Sequence, residues 1–246
     1  MFLLYTLYNT FIYVLYKVYK RILKQIKGFL HMEKFIKKQK TLSTKDKFTI
    51  TPNLKTPFIS PENIIHIGEI AQKYNGVLKI GTNQKISIIN IEEISLQRVI
   101  DDLNFDCVPK GKNLLTNITV CTSNFCRMCK YPTIGIYMKI VNEFYGIELP
   151  SKTKIAISSC KNSCVSAYVK DIGILADSNG KLFITVGGCA GTNPKSGYVL
   201  ASGLDEKSTY KLFKSVINYY QSNANSKEKL RDFIDRVGFE NFKSNL

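Results

Sequence analysis

Residues 157–173 read ISSCKNSCVSAYVKDIG. Two cysteines, Cys160 and Cys164, stand four apart, with Lys-Asn-Ser between them. The run that follows them, Val169–Ala176, reads as a strand. On spacing alone the pair has three readings: a disulfide, half of a metal site, or ordinary buried thiols.

Outward from this stretch, the second half of the chain alternates strand and helix patterns. Thr153–Ser158 is a strand before the cysteines. Leu182–Val186 is another after them, joined to Val169–Ala176 by Ser178-Asn179-Gly180, a strong turn sequence. Ile134, Met138, Val141 and Tyr145 share one side of a helix over Ile134–Tyr145. Lys207–Gln221 and Lys227–Val237 read as closing helices around a loop at Ser222–Ser226. In the first half, Ser60-Pro61-Glu62 is a helix start, a hydroxyl before Pro at the first position. Ile64, Ile67, Ala71 and Tyr74 then form one face, and Asn75-Gly76 closes the helix. Val77–Ile80 and Lys85–Ile91 are strands around Gly81-Thr82-Asn83-Gln84, and Ser95–Leu103 is a second helix. This helix–strand–strand–helix order suits half of an α+β layer.

The chain has 246 residues, enough for a sizeable core and one or two domains. Hydrophobic content of 44%, with 14 Phe and 14 Tyr, indicates a folded protein. The formal charge is +16, from 35 Lys+Arg against 19 Asp+Glu, which favours an anionic partner. Nucleic acid, a membrane surface, and a polyanionic cofactor with an anionic substrate all meet that description.

Seven cysteines, an odd number without an export signal, argue against a disulfide framework and for grouped thiols in a reducing cytoplasm. The two histidines, His31 and His66, are isolated, which excludes a His-rich metal site. Cys121, Cys126 and Cys129 form one group, CTSNFCRMC; Cys160 and Cys164 form the other. Four thiolates from two loops can hold a [4Fe–4S] cluster or Zn²⁺. The gaps of four and three residues suit zinc less well than paired C-x₂-C knuckles would. Cys107 is isolated and reads as a small core residue. Cys189, in VGGCAG, is not assigned as a ligand.

At these residues the chain resembles the siroheme-containing sulfite and nitrite reductases. SSCKNSC, then AYVKDIGILA, then ITVGGCAG follow the order of that family's C-x₅-C and C-x₃-C segment, with Asn162 inside the second pair. VLKIGTNQKISI resembles its LK-x-T-x-x-Q-[RK] segment, and LPSKTKIAIS its segment with two substrate-facing lysines. The resemblance runs from about Phe58 to Gly203. It departs in three places. The first pair is C-x₄-C, so the shift falls on Cys121; Cys129 stands where the family usually has Gly; Lys161 replaces a Pro.

The resemblance implies an α+β chain: an extension over 1–57, a ferredoxin-like half domain over 58–112, and an α/β siroheme- and [4Fe–4S]-binding domain over 113–246. It implies Cys121, Cys126, Cys160 and Cys164 as cluster ligands, with Cys129 the alternative to Cys121. Cys164 would also be the axial ligand to siroheme iron. It implies Lys152, Lys154 and Lys85 at the substrate anion, sulfite or nitrite. Lys152 and Lys154 are two apart on a strand, so both side chains point to one face. Lys79, Arg127 and Lys170 are candidates for the siroheme carboxylates. Gly187, Gly188 and Gly191 allow close backbone approach to a planar ligand. Family enzymes carry two copies of this unit and this chain carries one, so a homodimer is expected. Electrons would come from a separate donor, such as ferredoxin or a partner subunit. Two other readings stand: a non-catalytic [4Fe–4S] relative for electron transfer or sensing, and a Zn-bound basic nucleic-acid module. The second explains charge and thiols but not the ordered motifs, so no nucleic-acid partner is expected.

Residues 1–16, MFLLYTLYNTFIYVLY, are apolar and aromatic and are followed by Lys17, Lys20, Arg21, Lys24 and Lys27. The run is short of the roughly 20 residues of a span and lacks a cleavage site. Three readings stand: a membrane-associating helix, a core or dimer helix, and an upstream extension with Met32 the working start. Residues 33–57 are Lys-rich and read as a linker or arm. The expected location is cytoplasmic.

Overall fold

A computed structural model of the chain describes residues 36–39, 46–109, 111 and 113–246. The three readings of residues 1–16, and Met32 as a start, lie outside the described residues. The chain divides into two compact units. Of the described residues, the first holds 36–39, 46–53, 61–79 and 86–109; the second holds 54–60, 80–85, 111 and 113–246.

The first unit contains a four-stranded sheet in the order β1-β2-β4-β3. These strands are β1 (Lys37–Lys38), β2 (Lys47–Ile50), β3 (Val77–Ile80) and β4 (Ile86–Glu92). Phe48 pairs with Ile91 and Ile50 with Ile88 in the antiparallel β2–β4 ladder. Part of the expected linker is therefore sheet. The lysines around β2 hide a short strand whose Ile50 is fully buried, because only one residue in four commits to the core. Helix α1 (Pro61–Lys73) buries Ile67, Ile70 and Ala71. Ile64, expected on the same face, is 38% exposed. Helix α2 (Leu96–Leu103) buries Leu96, Val99 and Leu103 and ends on Asn104 in the left-handed region. Cys107 is buried among this core, as expected, and burial pushes its thiol up to about 11.

The second unit is a mixed five-stranded sheet in sequence order: β5 (Asn117–Val120), β6 (Lys154–Ser158), β7 (Ile172–Ala176), β8 (Leu182–Val186) and β9 (Tyr198–Leu204). β5, β6 and β7 run parallel; β7, β8 and β9 run antiparallel. Side chains alternate across the sheet. Ile118 and Val120, Ile155 and Ile157, Ile172 and Ile174, and Ile184 and Val186 all enter one large core. Helices α3 (Ile134–Phe144), α4 (Glu206–Asn223), α5 (Leu230–Val237) and α6 (Phe239–Ser244) supply the rest of it. α4 starts where its cap dictates: the Asp205 carboxylate accepts the Ser208 N–H at 2.7 Å.

The opposite face carries a small cluster of Ala156, Ala167, Leu175 and Phe183. The β6–β7 crossover, residues 159–171, packs there through a short 3₁₀ turn at Ala167–Val169. It approaches the sheet so closely that a Cβ on Gly173 would stand 2.3 Å from the Ala167 carbonyl oxygen and 2.5 Å from Thr185 Oγ1. Among the described residues no helix is long and apolar enough to cross a membrane.

Gly173→Ala must therefore push the crossover off the sheet. We expect a loss of about 1–3 kcal/mol, read as a lowered midpoint in urea denaturation with the slope unchanged.

Candidate cysteine site

Parallel pairing of β5 and β6 sets the site. The residues after both strands emerge at the same end of the sheet, where ligands of parallel sheets gather. Cys121 follows β5 directly, and Ser159-Cys160 follows β6. The register continues one step into the loop, where the Cys121 N–H bonds the Ile157 carbonyl at 3.0 Å.

Ser159 joins the two cysteine loops. Its N–H donates to Cys121 Sγ at 3.2 Å, and its Oγ lies 3.2 Å from the same sulfur. Its carbonyl accepts the N–H groups of Lys130 and Tyr131 at 2.9 and 3.3 Å. The Ser123 N–H adds a third contact to Cys121 Sγ at 3.3 Å. Cys126 and Cys129 follow on a turn closed by the Cys129 N–H on the Cys126 carbonyl at 3.0 Å, with Arg127 exposed at its tip. Cys160 is half-buried and Cys164 is exposed on the crossover; all five thiols are free. As placed, no three of the described Cys, His, Asp or Glu side chains are close enough to hold a metal ion.

The donor set nonetheless fits an iron–sulfur cluster. Thiolates are the ligands such clusters take, and two loops bring free ones to a common end. Beside them Ser158 Oγ is buried without a hydrogen-bond partner among the described residues, on the face that carries the crossover. Between Cys121 and Cys129, the first has the better-prepared sulfur: two N–H groups donate to it and the Ser159 hydroxyl lies within hydrogen-bond distance.

The lysines lie elsewhere. Lys154 opens β6, at the end opposite the cysteine loops. Four steps along the strand at about 3.3 Å each place it about 13 Å from Ser158. Lys152 is exposed just before the strand. The Lys154 N–H donates to Asp171 Oδ2 at 2.8 Å. Burial pushes the Asp171 carboxyl up to about 6, against the pull of the Lys154 and Lys229 charges. Burial, then the Lys154 charge, holds the half-buried Lys170 below the usual lysine range.

VGGCAG joins this lysine end, because β8 runs antiparallel to β7 and Val186 pairs with Ile172. Gly187 has φ +75°. A Cβ on Gly188 would stand 2.4 Å from the Lys170 carbonyl oxygen and 2.6 Å from that of Tyr168. The close approach Gly188 permits is to the crossover backbone, while Gly187 faces Ile234 and Arg231. Gly191 is exposed, and a Cβ there would meet only Cys189 Sγ, at 4.0 Å. Arg231, which the sequence did not single out, clamps this hairpin by donating to the carbonyls of Gly187 and Ser196 at 2.8 and 3.3 Å.

Lys85 stands apart from both ends. Its ammonium donates to the Tyr145 hydroxyl and lies 4.4 Å from that ring's centroid. It lines a small cavity of about 10 Å³ with Ile118, Tyr137 and Tyr145, on the helix side of the sheet. Burial pushes it down to about 8. Its neighbour Gln84 was legible only as part of a motif. The Gln84 amide donates to the Val120 carbonyl at 2.8 Å and accepts the Val120 N–H at 3.1 Å, one residue before Cys121. Lys79 is exposed on β3 in the first unit.

Free thiols on two loops at the ends of parallel strands, in an α+β chain, are the donor set of a thiolate-ligated metal or iron–sulfur protein. Residues 110–246 match the model of the nitrite and sulphite reductase 4Fe-4S domain, and residues 41–105 that of the nitrite/sulfite reductase ferredoxin-like half domain. The chain belongs to the nitrite and sulfite reductase family. It is 24% identical over 200 residues to an assimilatory-type sulfite reductase of Nitratidesulfovibrio vulgaris, covering 80% of this chain and 91% of that protein. It is 25% identical over 202 residues to a nitrite reductase [NAD(P)H] of Bacillus subtilis, covering 81% of this chain but 25% of that longer protein. A crystal structure of dissimilatory sulfite reductase I shares the fold with a TM-score of 0.67 at 14% identity, over 81% of this chain and 68% of that one.

A lysine whose pKa is lowered in the fold weakens the fold at neutral pH. The penalty is fully present below pH 8 and disappears as pH rises from about 8 to 10.5, the ordinary lysine value. Each pK unit corresponds to about 1.4 kcal/mol, partly offset by about 1 kcal/mol from the Tyr145 hydrogen bond. We expect Lys85→Met to be the more stable protein at pH 7 by about 2 kcal/mol. Urea denaturation from pH 7 to 10.5 should show wild type rising toward the variant.

Proposed function

We propose that the chain reduces sulfite or nitrite at a siroheme joined through Cys164 to a [4Fe–4S] cluster. The observation that carries this reading is the pair of thiol loops meeting at Ser159 in a member of this family. Cys121, Cys126, Cys160 and Cys164 would hold the cluster. Bound there, siroheme and cluster would supply electrons singly for a six-electron reduction.

The basic end of the sheet would serve the anions. Lys152 and Lys154 would bind the substrate oxygens. Lys170, with a proton less tightly held than an ordinary lysine's, suits proton delivery to them. Arg127 and Lys170 would face the siroheme carboxylates, with Gly187, Gly188 and Gly191 lining its approach. Lys85 is read as a packing residue, through its contact with Tyr145.

The length of β6 between Lys154 and the thiol loops supports a shared site in a homodimer, with one chain's lysines facing the siroheme held by its partner's Cys164. An external donor, such as ferredoxin or another subunit, would supply the electrons. Family membership favours this reading over the zinc module.

Protein purified without oxygen should show siroheme bands over a broad cluster shoulder, and reduce sulfite or nitrite from a reduced dye. A colourless zinc protein would sink the proposal. Cys164→Ser should lose or uncouple the siroheme bands. Chains carrying Cys164→Ser and Lys154→Met, each inactive alone, should regain activity when co-expressed as a heterodimer, since one of its two sites is then intact. If the heterodimer stays inactive, the lysines serve their own chain's site.

A further inference from the structure

Ser159 directs every polar group it has at the first cysteine loop. Its N–H and Oγ are both 3.2 Å from Cys121 Sγ, and its carbonyl accepts from Lys130 and Tyr131. The residue is 1% exposed, so these groups have no water to turn to. The other serines near the sulfur are differently engaged. Ser123 Oγ accepts the Thr133 N–H and hydroxyl at 2.7 and 3.0 Å, which leaves only its backbone N–H for Cys121. Ser158 Oγ makes no hydrogen bond among the described residues. Ser159 thus supplies the side-chain hydroxyl at Cys121.

A thiolate sulfur bound to iron is an acceptor, so the Ser159 hydroxyl hydrogen would point toward it. An electron added to an iron–sulfur cluster spreads negative charge onto the ligating sulfurs. Donors fixed around one of them stabilise the reduced state more than the oxidised state, and hydrogen bonds to sulfur are among the determinants of cluster potential. In a dry site the effect is larger than it would be in water.

We propose that Ser159 is a positioning and tuning residue of the iron–sulfur site: its hydroxyl, with the Ser159 and Ser123 N–H groups, holds the Cys121 sulfur and raises the reduction potential of the cluster. This rests on the reading of Cys121 as a cluster ligand.

The test is an EPR-monitored redox titration of the holoprotein prepared without oxygen. Ser159→Ala should keep its cluster, by iron and sulfide content, and show a midpoint potential below that of wild type. Ser159→Thr, which restores the hydroxyl, should move the midpoint back. A Ser159→Ala cluster that is intact with an unmoved midpoint overturns the inference. A wild-type protein with no four-iron cluster would instead overturn the reading beneath it. A Cys121→Ser protein whose cluster keeps its wild-type potential would overturn the choice of Cys121, and the inference with it. Should Ser159→Ala not fold, wild type alone decides through the hyperfine spectrum of the reduced cluster. Three exchangeable protons on one ligand sulfur, lost in D₂O, support the hydroxyl donor beside the two N–H groups, and two or fewer overturn it.

Discussion

The parallel ladder between β5 and β6 is the constraint from which the site follows. Parallel neighbours put their carboxyl ends side by side, so Cys121 and Cys160, 39 positions apart in the chain, leave the sheet together. Antiparallel pairing would have sent the two loops to opposite ends. The ladder is extended past its last strand residue by the Cys121 N–H and then by the groups of Ser159. The start of each thiol loop is thus a continuation of the sheet.

The same topology separates chemistry by charge. The carboxyl ends of β5 and β6 carry the soft thiols. The amino ends of β6 and β7 carry Lys152, Lys154, Lys170 and the half-buried Asp171. The β7–β8 hairpin returns the chain to this second end, which is why VGGCAG packs against Lys170 although it sits near the cysteines in number. One chain therefore carries its thiols and this group of lysines at opposite ends of one sheet.

Much of this was legible in the sequence. The apolar run LFITV after the Ser-Asn-Gly turn placed β8, and the apolar stripe from Ile134 placed α3. The grouping of thiols and the ordered motifs led to the family. What stayed hidden depends on distant partners. β2 has one fully committed core residue among lysines, and β9 mixes Ser, Gly and exposed Val199 into a strand held by its neighbour. The demand for glycine at 188 comes from a carbonyl 18 residues earlier, at Lys170. Lys85 and Lys154 look alike as letters; only the packing shows that one faces Tyr145 and the other starts a strand beside Asp171.

Gln84 has a consequence for how the sheet meets other chains. β5 is one of the sheet's two edge strands, and an edge strand offers its free backbone groups to any passing strand. The Gln84 amide imitates a peptide group, giving and taking one hydrogen bond at Val120. The rim is closed just where the cysteine loop begins. A side chain can seal that rim without adding a further strand, which would otherwise crowd the loop that carries Cys121.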